Sequence, residues 1–269
     1  MSPDSPPTSA APAFFLEDAV DAGPPRLLAE DVLHATRVLR LRAGDRLTGL
    51  DGRGGRLPLR VRSVQRATLE LEAAGEAEHL PAPGEENAAL PWFEIAVSWP
   101  RRNRVEDMVG RLVQLGAAAI RPLAARQRGP EEPPEEAPAR LLRVAREACK
   151  QAGRAWMPEL GAPLSPAELA RARPDGAIAV LDPDATFALD TWLRGLQPSP
   201  AGLGTRQRPI VLVVGPEGGL TPEETEALLL RGASPTWLGP HILRVETAAE
   251  AAMAVAAVVH GRCRVRGSG

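Results

Sequence analysis

The stretch Ile210–Ala252, IVLVVGPEGGLTPEETEALLLRGASPTWLGPHILRVETAAEAA, decides the fold. Ile210 to Val214 are β-branched or Leu without alternation, the pattern of a strand buried on both faces of a parallel sheet. Gly215-Pro216-Glu217-Gly218-Gly219 ends that strand abruptly, and its glycines leave backbone amides bare enough to contact a ligand. Thr221-Pro222-Glu223-Glu224 then reads as a capping box, with Thr at the N-cap, Pro at the first helical position and Glu three residues on. Gly232 closes that helix. A short strand is predicted at Thr236–Leu238, followed by a second glycine loop, Gly239 to Arg244, and by a second capping box, Thr247-Ala-Ala-Glu250, opening the last helix. The two Gly-Pro loops are therefore expected at the carboxyl ends of two neighbouring parallel strands, where open α/β sheets bind ligands. No G-x-G-x-x-G follows a strand and no Lys follows the glycines, which argues against a dinucleotide fingerprint and a P-loop.

Working outward, strands and helices alternate upstream, and alternation means a parallel α/β sheet. Strands are predicted at Phe93–Ser98, Ala118–Arg121 and Ala177–Leu181, with a short piece near Glu159. Helices are predicted at Val105–Leu115, Ala139–Ala152, Pro166–Ala172 and Phe187–Leu193. Gly129–Pro138 and Gln197–Arg208 read as loops. Polar, proline-containing residues 75–91 read as a linker, dividing a larger domain at 92–266 from a smaller one at 13–74, with a Pro/Ser/Ala tail at 1–12. In the smaller domain Phe14-Phe15-Leu16 is an edge strand and His34 onward a short amphipathic helix. Arg46–Leu50, Arg56–Val64 and Ala67–Glu72 alternate as strands, with Asp51-Gly52 and Gly54-Gly55 as hairpin signals. A small β-barrel fits this pattern.

Charge distribution says more than its sum of −2. Between His34 and Arg66 stand nine arginines against two acids, a surface suited to phosphate or simply to solvated strand faces. Cys149 and Cys263 offer neither a disulfide framework nor zinc spacing, which suits a reducing cytoplasm, and no metal site is expected. No stretch reads as a signal peptide or membrane span.

GPEGGLTPEE followed by LGPHILRVETAAEAA resembles the C-terminal signature of the RsmE family of 16S rRNA uridine N3-methyltransferases, of the SPOUT class of knotted enzymes. H-x-x-x-VLR-x-x-x-GD with DGRG is similar to that family's PUA-like N-terminal domain, and Glu147 through Glu159 to its E-A-x-x-Q-x-x-R-x-x-x-P-E element. The chain departs from the pattern at Ala13, where an arginine is common, and at Arg111 and Gln114, which stand for Lys and Glu. Gln114 cannot serve as a base.

The resemblance implies a trefoil knot holding S-adenosyl-L-methionine. Main-chain groups of Leu181, Gly215, Pro216, Glu217, Gly218, Leu238, Gly239, Pro240, Ile242 and Leu243 would bind it, with adenine among the side chains of Leu238, Ile242 and Leu243. It also implies 16S rRNA in the small ribosomal subunit as partner, and a homodimer through the alanine-rich last helix.

N3 of uracil carries a proton that must leave as the methyl group arrives, so donor and nucleophile must be held in line. Arg244 is a candidate to stabilise a uracil oxyanion or grip a phosphate, or else to pair with Glu246. Glu217 is a candidate to accept a proton or a ribose hydroxyl, or else to cap neighbouring amides. Arg37, Arg40, Arg101, Arg102, Arg126 and Arg128 are the candidate RNA contacts. The rival readings are a SPOUT enzyme acting on another RNA and a catalytically silent RNA-binding adaptor.

Overall fold

Alternating apolar residues build the first sheet. The computed structural model describes residues 11–65, 68–100, 102–126 and 137–262. The chain divides into two units, one comprising residues up to Leu80 together with Cys149–Met157, the other Pro81–Ala148 with Pro158 onward.

The first unit contains β1 (Ala13–Phe15), α1 (Ala29–Leu33), β2 (Arg46–Leu50), β3 (Gly55–Gln65), β4 (Thr68–Ala73) and β5 (Glu78–His79). The sheet runs β1-β2-β3-β4, with β5 also on β3; β1 pairs parallel to β2 and the other pairs are antiparallel. Leu57, Leu59 and Val61 of β3 point into a core with Phe14, Leu16, Leu27, Leu47 and Leu69, while the alternating Pro58, Arg60 and Arg62 are exposed. The Asp51–Gly55 hairpin forms as its sequence predicts. Asp51 Oδ1 accepts from the N–H groups of Arg53 and Gly55, both at 2.8 Å, and Gly54 takes φ +99°. A Cβ on Gly54 would stand 2.6 Å from the Leu80 carbonyl oxygen.

Two features of this unit lie beyond the predicted pattern. The helix begins at Ala29 rather than His34, and it continues as a π turn over His34–Val38, closed by Leu39 N–H donating to His34 O at 3.1 Å. Cys149–Met157 belongs to this unit because Gly54 N–H donates to Ala155 O at 3.1 Å and Met157 N–H to Gly52 O at 3.0 Å. Lys150, the sole lysine, is buried there against Asp31, which also accepts the Phe15 N–H. Burial pushes the Cys149 thiol up to about 11, so it is an inert core group. On the other side of the predicted boundary, Glu78–His79 is paired in the sheet rather than free as linker.

The second unit contains β6 (Phe93–Val97), α2 (Arg102–Gln114), β7 (Ala119–Pro122), α3 (Ala137–Ala152, whose end reaches the first unit), β8 (Glu159–Leu160), α4 (Pro166–Ala172), β9 (Ala177–Leu181), α5 (Leu189–Gly195), β10 (Ile210–Val214), α6 (Pro222–Leu229), β11 (Ser234–Thr236) and α7 (Val245–His260). All strand pairs are parallel, in the order β11-β9-β10-β6-β7-β8. Every residue of β6 and of β10 is buried, as the unalternating run requires. Val211 and Val213 pack with Leu169 of α4 and Leu228 of α6 on one face. α7 packs over β6 and β10, beside α2 and α5. The mixed α/β class with a parallel sheet is thus as predicted. Glu94, wholly buried on β6, is held by Arg121 Nε at 2.6 Å and Arg173 Nε at 2.7 Å.

Several boundaries differ from expectation. β11 lies two residues earlier than predicted, because its register is set by β9 (Ser234 opposite Ala179, Thr236 opposite Leu181), and Trp237 has turned away to bridge Ala188. β10 and β11 are not neighbours: β9 stands between them. α7 starts at Val245 with Arg244 at the N-cap and no side-chain cap, so Thr247 lies inside the first turn and the second capping box does not form.

Candidate functional site

A parallel sheet puts all its carboxyl ends on one edge, and here that edge gathers the loops after β6, β7, β9, β10 and β11. The loops after β10 and β11 flank the end of β9, where Leu181 and Asp182 stand. Asp182 N–H donates to Thr236 O at 2.9 Å, and Trp237 exchanges hydrogen bonds with the strand-to-helix segment after β9 (Trp237 N to Phe187 O, 2.9 Å; Leu189 N to Trp237 O, 3.0 Å). Backbone pairing therefore fixes the start of the second glycine loop.

The first loop is tied at both ends. Ser98 N–H donates to Val214 O at 3.0 Å, and Gly219 N–H to Pro216 O at 2.8 Å with Gly219 at φ +77°. Pro216 is buried; Glu217, Gly218 and Gly219 are exposed. α6 then opens on the capping box: Thr221 accepts from Glu224 N–H at 3.3 Å, and Glu224 Oε2 accepts from Thr221 N–H at 2.9 Å. The other oxygen, Oε1, accepts Arg126 N–H at 2.7 Å, fastening the loop after β7 to the same corner. This role of Glu224 is not readable from its cap pattern.

The second loop presents side chains. Leu238 and Gly239 are half-buried, whereas Pro240, Ile242 (87% exposed), Leu243 and Arg244 are open to solvent. Two exposed aliphatic residues in succession on a loop tied at its base form a surface suited to a flat apolar ligand group. A Cβ on Gly239 would meet nothing within 4 Å, so the space over the loop is open.

Arg244 does not pair with Glu246, the alternative raised by sequence. Glu246 Oε1 instead accepts from Arg104 Nη1 of α2 at 2.9 Å, and one turn on Glu250 accepts from Arg111 Nη1 at 3.0 Å, which raises the Arg111 pKa. Arg111 is thus a rung between α2 and α7.

Of the predicted RNA-contact arginines, Arg126 is exposed at this edge. Arg37, on the π turn, and Arg40, at φ +52°, are exposed on the first unit. Arg101 and Arg128 lie outside the described residues, as does the side chain of Arg102. An open cleft beside edge strand β11, lined by Asp182, Phe187, Trp192 and Pro235 among others, meets the loops only at the end of β9. No cluster of possible metal ligands occurs among the described residues, and no described helix is long and apolar enough to cross a membrane.

Residues 87–257 match the family model of the RNA methyltransferase domain. The chain is 33% identical over 220 residues to the ribosomal RNA small subunit methyltransferase E of Synechocystis sp., covering 81% of this chain and 67% of that protein. A crystal structure of ribosomal RNA small subunit methyltransferase E from Neisseria gonorrhoeae, bound to S-adenosyl methionine, aligns at TM-score 0.76 and 25% identity over 93% of this chain and 98% of that one. A methyltransferase from Legionella pneumophila with bound SAM shares the fold at TM-score 0.77 and 24% identity, over 95% of this chain and all of that one.

Proposed function

The chain belongs to the RsmE family of RNA methyltransferases, and from that premise we propose that it methylates N3 of a uridine in 16S rRNA of the small ribosomal subunit, with S-adenosyl-L-methionine as donor. The observation that carries the reading is the placement of the two glycine loops on either side of the β9 carboxyl end.

The residues present fit the cofactor: Gly215, Pro216, Glu217 and Gly218 offer main-chain groups on one side, Leu181 lies between, and Leu238, Gly239 and Pro240 continue on the other. Ile242 and Leu243, otherwise exposed, cover adenine together with Leu238. Glu217, exposed on its loop, accepts a ribose hydroxyl. Bound there, S-adenosyl-L-methionine supplies a methyl group on a sulfonium, whose carbon–sulfur bond breaks with the electron pair left on sulfur. Arg244 stands at the N-cap of α7 with its guanidinium exposed, where it faces the target base and stabilises negative charge on a uracil oxygen.

Arg37, Arg40, Arg101, Arg102, Arg126 and Arg128 hold RNA phosphates, a contribution that weakens as salt is added. The target base leaves its stack to reach the cradle. The finer reading of the fold is a PUA-like N-terminal barrel and a trefoil knot, in which α7, following edge strand β11, returns to cover the central strands β6 and β10. α7 also leaves Val258 81% exposed, a surface for a homodimer partner.

The test is transfer of a labelled methyl group to small subunits lacking the modification, followed by mass spectrometry of the nucleosides. N3-methyluridine at one site is expected. Cofactor binding without transfer would shift the reading to another RNA, and no cofactor binding would leave an RNA-binding adaptor. Arg244→Ala is expected to lower kcat by about 100-fold while cofactor affinity stays within about threefold. Equal losses in both would remove Arg244 from the uridine.

A further inference from the structure

At the mouth of the parallel sheet two buried polar atoms have no partner among the described residues: the indole Nε1 of Trp99 and Oε2 of Glu246. Buried polar groups are paired as a rule, so each exception asks for a reason. Trp99 is 9% exposed and stands on the connection between β6 and α2. It directly follows Ser98, whose N–H still pairs with Val214 of β10, so the backbone at Trp99 stands level with the start of the Gly215–Gly219 loop.

Glu246 lies in the first turn of α7, directly after the second glycine loop, with its side chain 12% exposed. Its Oε1 is held at 2.9 Å by Arg104, in the first turn of α2. The ion pair thus ties the start of α7 to the connection that carries Trp99, and it fixes the carboxylate with one oxygen occupied and the other unused. One unpaired atom can only donate and the other can only accept.

Resting on the reading above, we propose that Trp99 and Glu246 read the imide edge of the target uracil, Nε1–H donating to the O4 carbonyl of the base and Oε2 accepting from N3–H. Uracil offers that alternation of acceptor and donor. Cytosine reverses it: its N3 lone pair would face the carboxylate oxygen, and its exocyclic amino group would face the indole N–H. Because both protein atoms are already buried, the wrong base leaves them unpaired, and such sites reject a mismatched ligand more strongly than they reward the right one. The same contact gives the N3 proton a destination. An O–H bond forms at Oε2 as the N–H bond breaks, and N3 keeps the electron pair that bonds to the methyl carbon.

The experiment uses full-length protein and small subunits carrying the target uridine or a cytidine in its place. Competition binding without cofactor gives the ratio of affinities, and methyl transfer to the uridine subunits gives kcat. Trp99→Phe removes only the N–H and a ring, and Glu246→Gln keeps a hydrogen-bonding partner for Arg104. Each is expected to reduce the uridine-over-cytidine ratio by about tenfold, with cofactor affinity within about threefold of the parent. Glu246→Gln is expected to lower kcat further than Trp99→Phe. An unchanged ratio in both variants, with or without a lower melting temperature, overturns the proposal and leaves the pair as structural. Wild-type protein that methylates uridine N3 keeps the functional reading intact in that case; wild-type protein that does not removes the reading, and this inference falls with it.

Discussion

The two glycine loops look alike in sequence and start their helices by different means. After the first, α6 is opened by four consecutive residues: Thr221 and Glu224 exchange hydrogen bonds across one turn, with Pro222 between them. After the second, α7 has no side-chain cap at all. Its first turn is closed by Ala248 N–H donating to Arg244 O at 2.8 Å, and it is anchored by Arg104 and Arg111 of α2 through Glu246 and Glu250. The sequence separations of those ion pairs are 142 and 139 residues. The difference is functional under the proposed reading. A local cap consumes its own side chains, whereas distant anchoring leaves Arg244 exposed at the N-cap, free for a substrate.

The sharpest way to break this comparison is at Glu224. Its carboxylate, 8% exposed, serves the cap and also takes the Arg126 N–H, so Glu224→Ala strands two donors at once. We expect a loss of about 2–4 kcal/mol in urea unfolding. A loss under about 1 kcal/mol would mean that α6 does not depend on its local cap. The next effect is smaller and differential. Thr221→Ala should cost about 1 kcal/mol, as caps do, while Thr247→Ala, an exposed first-turn position, should stay within about 0.5 kcal/mol. Comparable costs at the two threonines would restore the second capping box.

What was legible follows the same division between local and distant causes. Ile210–Val214, Ala177–Leu181 and the Pro166–Ala172 helix were predictable because burial periodicity, proline and a capping Ser or Thr lie within a few residues of each other. The two loops of the proposed cofactor site were equally visible in their glycines. The insertion of β9 between β10 and β11 was not, because parallel order depends on crossovers that no short window encodes. Nor was the assignment of Cys149–Met157 to the first unit, where the Lys150 pair with Asp31 spans 119 residues. The unpaired indole N–H of Trp99 was not legible either, since it exists only once burial is known.

The smallest effect lies at the opposite end of α7. His260 Nε2 stands 2.9 Å from Leu193 O on α5, and because a carbonyl oxygen only accepts, Nε2 carries the proton of a neutral ring. Burial lowers the His260 pKa, and the Leu193 hydrogen bond offsets this in part. A folded-state pKa below the unfolded one means that the unfolded chain binds more protons as pH falls. The contribution of burying this neutral ring is therefore present above the ordinary histidine range and is lost as pH falls through the folded-state value. Between about pH 7.5 and 5.5, a window bracketing the ordinary imidazole pKa, the melting temperature of wild-type protein should fall by more than that of His260→Gln, whose amide keeps a donor for Leu193 without titrating. Parallel curves would show that the end of α7, unlike its start with the Arg104–Glu246 pair, does not depend on a charged or titrating side chain.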